Sequence, residues 1–339
     1  MIKPAFAFAA FALALMPLAA CTPAGGEAGS SALSGAAPPP CRPEARMASA
    51  DARSALEAQA FAEAQASHGS GSPALWTLSD EDTTIHILGT VHLLRPELDW
   101  MSPEIRAAIE GADKIVFEAD TTSPQAQREL MAFFAGHGIF SDGQRLSNLM
   151  TEEEVAFVSE ALTAVNLPFD VLQTMRPWFA AINISVMQLT ASGYDPEAGV
   201  ESVIQQMVAE RGPRFAYLET ADQQLGGLAA LDDCEQVSFL LATVESLDEG
   251  VEMLDILIGE WADGDVHGIG LLMANPEMIG SQAIYDVMLT DRNRRWVPQI
   301  AAMLDEPGTV LVAVGAGHLA GEDSVITMLR DEGFAVEGP

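Results

Sequence analysis

The sequence predicts an α/β fold, a mixed and largely parallel sheet flanked by helices, with two weakly similar halves and a helical insertion between them. Three observations carry that prediction. From Ala74 onward, apolar runs of strand length alternate with helix-length stretches, which is the order that builds parallel sheets. Two of those runs, Thr84-Ile-His-Ile-Leu-Gly89 and Thr309-Val-Leu-Val-Ala-Val-Gly315, lead into the same pattern, Gly89-Thr-Val-His92 and Gly315-Ala-Gly-His318. Two others, Lys114-Ile-Val-Phe-Glu118 and Arg214-Phe-Ala-Tyr-Leu-Glu219, end in an acid. Open α/β sheets place ligands at the carboxyl edge of their strands, so four strand ends offer two imidazoles and two carboxylates.

The chain begins with a secretory signal. Lys3 precedes an apolar run from Pro4 to Leu18, too short to span a bilayer comfortably, and small residues follow it. Leu18-Ala-Ala-Cys21 resembles the lipobox of bacterial lipoproteins, in which Cys21 becomes the lipidated first residue; the alternative is an ordinary cleaved signal. The expectation is an exported protein of the periplasm or cell envelope, anchored to a bacterial membrane by lipid alone. Residues 22–40, nearly all Ala, Gly, Ser, Thr and Pro, bury too little to fold and read as a tether. The folded domain occupies 41–339. It opens with Cys41 and a helical stretch from Met47 to Ala66. With Cys21 given to lipid, Cys41 and Cys234 are the remaining thiols, and in an oxidising compartment they most simply pair.

Within the domain, Ala74–Leu78 and Ile85–Gly89 form an opening hairpin through Ser79-Asp-Glu-Asp82. Ser102 caps a helix with Pro103 at its first position, running to Gly111. The insertion, about 124–192, is helical by pattern, and Thr151-Glu-Glu-Glu154 is a capping-box signal inside it. Its large apolar residues, among them Phe133, Phe134, Phe140, Phe157, Trp178, Phe179 and Met187, suit either helix core or a groove for an extended substrate. Val200–Arg211 precedes the strand ending at Glu219, Leu247–Asp263 is an amphipathic helix, and Gly264–Gly270 reads as a loop. Arg294–Leu304 is the helix before His318; a helix over Glu322–Glu332 and a strand over Phe334–Glu337 close the fold.

Composition excludes some functions. A formal charge of −33 disfavours nucleic acid, whose backbone needs clustered Lys and Arg, and anionic lipid surfaces. About 265 residues of folded chain suffice for a substantial core. Oligomeric state is not legible here.

Gly89-Thr-Val-His92, Phe117-Glu118, Leu218-Glu219-Thr220 with Gln223 and Gln224, Arg292-Asn293 and Gly315-Ala-Gly-His318-Leu-Ala-Gly321 resemble, in matching order, the TraB/GumN/Tiki family. The resemblance covers roughly residues 73–337. It implies an activity, since animal Tiki members are described as metal-dependent proteases using two Gly-x-x-His motifs and a glutamate. Carried onto this sequence, those residues are His92, Glu118 and His318.

The residues themselves point the same way. Two imidazoles and a carboxylate suit a first-row divalent ion, here Mn, Co or Zn, with a position left for water. Such an ion makes hydrolysis of an amide or ester feasible near neutral pH. Neither a His-Glu-x-x-His helix nor a Gly-x-Ser-x-Gly elbow is present. The expected function is therefore a metal-dependent hydrolase, a peptidase first, acting on a peptide or protein. His92 and His318 are expected ligands, and Glu118 the third ligand or the general base. Glu219 is a further candidate for the base or for a partner behind the ligands. Arg292 is a candidate for holding an oxyanion or a substrate carboxylate, against hydrogen bonding at a helix N-terminus. Because bacterial members of the family are linked to pheromone shutdown and polysaccharide clusters, the alternative is a non-catalytic protein sequestering a peptide or a haem-like ligand.

Overall fold

The computed structural model describes residues 58–165, 167–247, 250–274 and 281–339. Six strands form one mixed sheet: β1 (Leu75–Ser79), β2 (Thr83–Thr90), β3 (Lys114–Phe117), β4 (Arg214–Tyr217), β5 (Gly308–Gly315) and β6 (Val336–Glu337), in the order β4-β3-β5-β2-β1-β6. β1 and β2 are the expected hairpin, paired from Leu75↔Leu88 to Ser79↔Thr84. Asp80 tightens its turn by accepting from the amides of Asp82 and Thr83 at 3.1 and 2.8 Å. β2, β5, β3 and β4 are mutually parallel, and β6 closes the far edge antiparallel to β1. The last long strand, β5, thus lies between β2 and β3, and the two halves of the chain interleave in one sheet.

β5 is buried from Val310 to Gly315 because both faces of the sheet are covered. Its side chains alternate accordingly. Leu311 and Ala313 join the larger cluster with Leu88, Ile115 and the central helices. Val310, Val312 and Val314 join the other, with Ile85, Ile87, Val116 and Trp296.

The insertion is helical as expected, with helices Pro124–Phe133, Glu152–Ala164 and Pro177–Ala191. The Thr151/Glu154 capping box forms in both directions. The large apolar residues are core rather than groove: Phe133, Phe134, Phe140, Trp178 and Phe179 are buried, and Phe134 and Phe179 meet at 4.9 Å between ring centroids. Phe157 and Met187 are exposed at the surface of their helices.

Gly264–Gly270 departs from expectation. Residues Val266–Met273 are a helix, not a loop, because Asp265 caps it by accepting from the Gly268 amide at 2.9 Å. Its glycines serve packing: a Cβ at Gly268 would lie 2.9 Å from the Glu260 carboxylate. Cys234, at the start of helix Asp233–Glu245, is disulfide-bonded. Its expected partner Cys41, with Cys21 and the tether, lies outside the described residues. Among the described residues no helix is long and apolar enough to cross a membrane.

Candidate functional site at the carboxyl edge of the sheet

Four parallel strands deliver their ends to one edge. The pairs Thr90↔Gly315, Phe117↔Ala313 and Phe117↔Tyr217 put the ends of β2, β5, β3 and β4 side by side. Pairing of β3 and β4 continues one step further, with the Glu219 amide donating to the Glu118 carbonyl at 2.8 Å. His92, Glu118, Glu219 and His318 all follow at this edge, and all are buried.

Arg292 ties three of them together. Its Nε donates to Glu219 Oε1 at 2.8 Å, one terminal nitrogen bonds Glu118 Oε2, and Nη1 lies 2.9 Å from His318 Nε2 and 3.1 Å from the Met288 carbonyl. The guanidinium also stacks on Trp296, 4.7 Å from the ring centre. It reaches the site from helix Asp291–Ala301, whose buried residues Arg292, Trp296 and Ile300 recur every four positions on the face turned to the sheet. Arg292 and Asn293 are therefore helical and point inward, and helix N-terminal hydrogen bonding is not their role. Asn293 Oδ1 lies 2.6 Å from His318 Nδ1. A guanidinium has no acceptor, so His318 Nε2 must accept from Arg292 and Nδ1–H must donate to Asn293.

Glu118 is held at both oxygens. Oε1 accepts from the Gly315 amide at 2.7 Å, and Oε2 accepts from Gln224 Nε2 at 2.7 Å as well as from Arg292. A side chain at 315 would place its Cβ 3.1 Å from that carboxylate.

His92 has a different partner. Its Nδ1 lies 2.8 Å from Glu201 Oε1, an ion-pair contact whose angle is poor for a hydrogen bond, and Glu201 also accepts from the Thr90 hydroxyl. Glu201 is in the first turn of helix Val200–Val208. That helix start presses on the strand exit: the Val200 amide donates to the Val91 carbonyl at 3.0 Å, and a Cβ at Gly199 would sit 2.1 Å from the His92 carbonyl oxygen. His92, Glu118, Glu201 and Gln224 line a cavity of about 200 Å³, together with Thr121, Gln127 and Glu197. None of the large apolar residues of the insertion lines it.

The charges follow from burial and neighbours. Burial opposes ionisation of Glu118, but Arg292 foremost, with His92 and the Gly315 amide, outweighs it and brings its pKa down to about 2. Burial and Arg292 together hold His318 well below the ordinary histidine range, so it is neutral. For His92, burial is outweighed by Glu201 and Glu118, which raise it. Burial raises Glu219, with Arg292 acting against the rise.

His92, Glu118, His318, Glu219 and Arg292 thus gather at one sheet edge. Sequence reading missed Glu201, whose position in an amphipathic helix start gave no sign of a strand-end partner, and Trp296, visible only as an apolar helix position. Two imidazoles and a carboxylate are chemically suited to a divalent ion, but their present arrangement does not fit one. An ion shared by Glu118 and His318 needs the lone pairs that Arg292 already engages. Among the described residues, no three His, Cys, Asp or Glu are placed to hold a metal.

Buried His92 and Glu118 on a cavity at the carboxyl edge of a mixed sheet make this an α/β protein with a polar cavity where such sheets place their ligands. The chain belongs to the TraB/PrgY/gumN family, whose model matches residues 74–338. It is similar to the uncharacterized protein YbaP of Escherichia coli (strain K12), 24% identical over 246 residues that cover 72% of this chain and 87% of the relative. The protein of the same description from Shigella flexneri matches to the same extent. No solved structure matches the chain.

Proposed function

We propose that the protein is a hydrolase of an acyl bond, a peptide amide first, exported and anchored to a bacterial membrane through a lipid on Cys21. The observation that carries the reading is the contact of buried His92 with half-buried Glu201 on a cavity shared with an ionised Glu118. In this reading His92 is the general base. It takes a proton from the attacking water as the water oxygen bonds to the acyl carbon, and returns it to the leaving amine as the C–N bond breaks. Glu201 orients the ring and stabilises the imidazolium. Glu118, held anionic by Arg292, favours the same charge. The hydroxyl of Thr121 and the amide of Gln127 line the cavity and are the candidate donors to the developing oxyanion.

No step is routed through a metal ion, because Arg292 engages two of the three expected donors. One observation favours the ion-dependent reading: Asn293 fixes Nδ1–H of His318, the arrangement that presents Nε2 to an ion wherever Arg292 withdraws. Sequestration of a haem-like ligand is disfavoured by size, since about 200 Å³ falls below the ~300–1,000 Å³ of usual small-molecule sites.

The test is turnover of a peptide mixture, followed by mass spectrometry for new termini, with and without a chelator and with added Mn, Co or Zn. We expect His92→Gln and Glu201→Gln to lower the rate by about 10²–10⁴-fold. Stoichiometric binding without products would leave the sequestering reading for a peptide. Turnover that appears only with added metal would replace the metal-free mechanism by the ion-dependent one.

A further inference from the structure

The spacing at the sheet edge suits a divalent ion, and the occupant is what excludes one. His318 Nε2 and Glu118 Oε1 lie 3.9 Å apart, inside the ~4.2 Å that two ligands of one ion can span. An imidazole nitrogen offers a single lone pair, and that of Nε2 is taken by Arg292 Nη1 at 2.9 Å. An ion on the same lone pair would stand ~2.1 Å from Nε2 and so roughly 0.8 Å from the nitrogen already there. The ring has no second nitrogen to offer. Asn293 Nδ2 donates to the Asp323 carbonyl at 2.7 Å, which leaves Oδ1 as the acceptor that engages Nδ1–H.

The guanidinium is itself held on every side. It makes four hydrogen bonds, to Glu219, Glu118, His318 and the Met288 carbonyl, and the nitrogen bonded to Glu118 also lies 2.6 Å from Glu219 Oε1. A guanidinium has five N–H donors and no acceptor, so almost all of its donors are used. Its face is covered by Trp296, whose ring also packs against His318 at 4.4 Å between centroids and whose Nε1 donates to Glu219 Oε2 at 3.3 Å. Arg292 and Trp296 are four positions apart on helix Asp291–Ala301. The element that brings the cation therefore also brings the wall that keeps it.

We infer that Arg292 is the resident cation of this edge. Its guanidinium stands where the resemblance to metal-dependent proteases places an ion, and the folded chain takes no divalent ion on His318 and Glu118. The two Gly-x-x-His motifs then serve different ends. His92 faces the cavity, whereas His318 is a positioning residue, an acceptor that aims Arg292 at Glu118. Arginine suits the place because its planar fork serves several acceptors at once and its charge persists at any ordinary pH. The inference goes beyond the proposed function and does not depend on it, since it concerns what occupies the edge and not what is hydrolysed.

The test is titration of the purified protein with Co(II), followed by visible absorption, in wild type, His318→Gln, Arg292→Met and the double variant. Wild type and His318→Gln should titrate alike. Arg292→Met frees the Nε2 lone pair and should gain a Co(II) site that wild type lacks. Adding His318→Gln should weaken that site by about a hundredfold or more, since a ligand counts for at least as much as a partner behind one. A Co(II) site in wild type that His318→Gln removes overturns the inference. So does a folded Arg292→Met that gains no site, because something other than the guanidinium would then keep the ion out. Wild type answers without any variant in ¹⁵N spectra of the histidine rings: added Zn(II) should leave the His318 Nε2 signal in place, and a shift of that signal overturns the inference. Absence of peptide turnover sinks the hydrolase reading alone. A His318-dependent ion in wild type, with turnover that resists a chelator, sinks the resident cation alone.

Discussion

Nη1 of Arg292 lies 2.9 Å from Nε2 of His318, which makes a fixed guanidinium the hydrogen-bond donor to a histidine the sequence marks as a metal ligand. The contact sets the ring's tautomer from both sides, since Asn293 takes Nδ1–H. The expected outcome is an Nδ1–H signature for His318 in ¹⁵N-resolved spectra of the histidine rings. An Nε2–H signature would show that Arg292 does not occupy this position.

Removing Arg292 leaves two buried carboxylates, Glu118 and Glu219, without their main cation. Breaking a buried pair from one side costs about 3–5 kcal/mol. Arg292→Met is therefore expected to lower unfolding stability by that order in urea titration, and Glu118→Gln added to it should recover part of the loss. A change below about 1 kcal/mol would mean that the guanidinium is not the hub of the edge.

Much of this edge was legible in the sequence. β2 and β5 announce themselves by β-branched and apolar residues over strand length, and glycines mark their exits toward the histidines. The inward face of helix Asp291–Ala301 was present as a four-residue spacing of Arg292, Trp296 and Ile300, although Asp291-Arg-Asn-Arg-Arg looks like a solvated surface. Glu201 was not legible, because nothing local ties a helix start to a strand end 109 positions earlier (201 − 92). Gly264–Gly270 misled for a physical reason: its glycines admit neighbouring atoms in a capped helix and do not break one.

Gly199 permits the approach of Glu201 to His92. A Cβ there would meet the His92 carbonyl oxygen at 2.1 Å, whereas one at Gly226, inside helix Ala221–Ala230, meets nothing within 4 Å. Gly199→Ala should cost about 1–3 kcal/mol or more and reduce any turnover. Gly226→Ala should be neutral or stabilising by about 0.5–1 kcal/mol. Equal melting temperatures for the two variants would refute the close approach.

Away from the site, Glu260 is pushed up to about 7 by burial and by Asp265 and Asp263, with His68 acting the other way. The folded state thus holds this proton more tightly than the unfolded chain, whose carboxyl has the ordinary value near 4.5. Its stabilising contribution is complete below 4.5 and is lost as pH rises through about 7. Melting temperature should fall between pH 5 and 8, and Glu260→Gln should flatten that fall. The group is partly exposed, so solvent screening keeps the effect small. An identical pH profile for wild type and variant would remove the assignment.

The bond at Cys234 carries a further expectation, that its partner is Cys41. The loop so closed spans 193 positions (234 − 41), for which the chain-entropy model gives roughly 5 kcal/mol, less any strain. Peptide mapping of the unreduced protein should recover the two cysteines in one linked fragment. Recovery of Cys41 as a free thiol would require another partner.

The place of β5 between β2 and β3 also fixes when the edge of the sheet can assemble. β2 and β3 share no ladder of their own; each meets the other's half only through a strand that lies near the chain's end. A polypeptide emerging from its amino terminus therefore carries His92 and Glu118 on two unjoined pieces until residues 308–315 arrive to seat them. Such long-range closure folds slowly. A chain that stopped before Gly308 would lack the strand that joins the two.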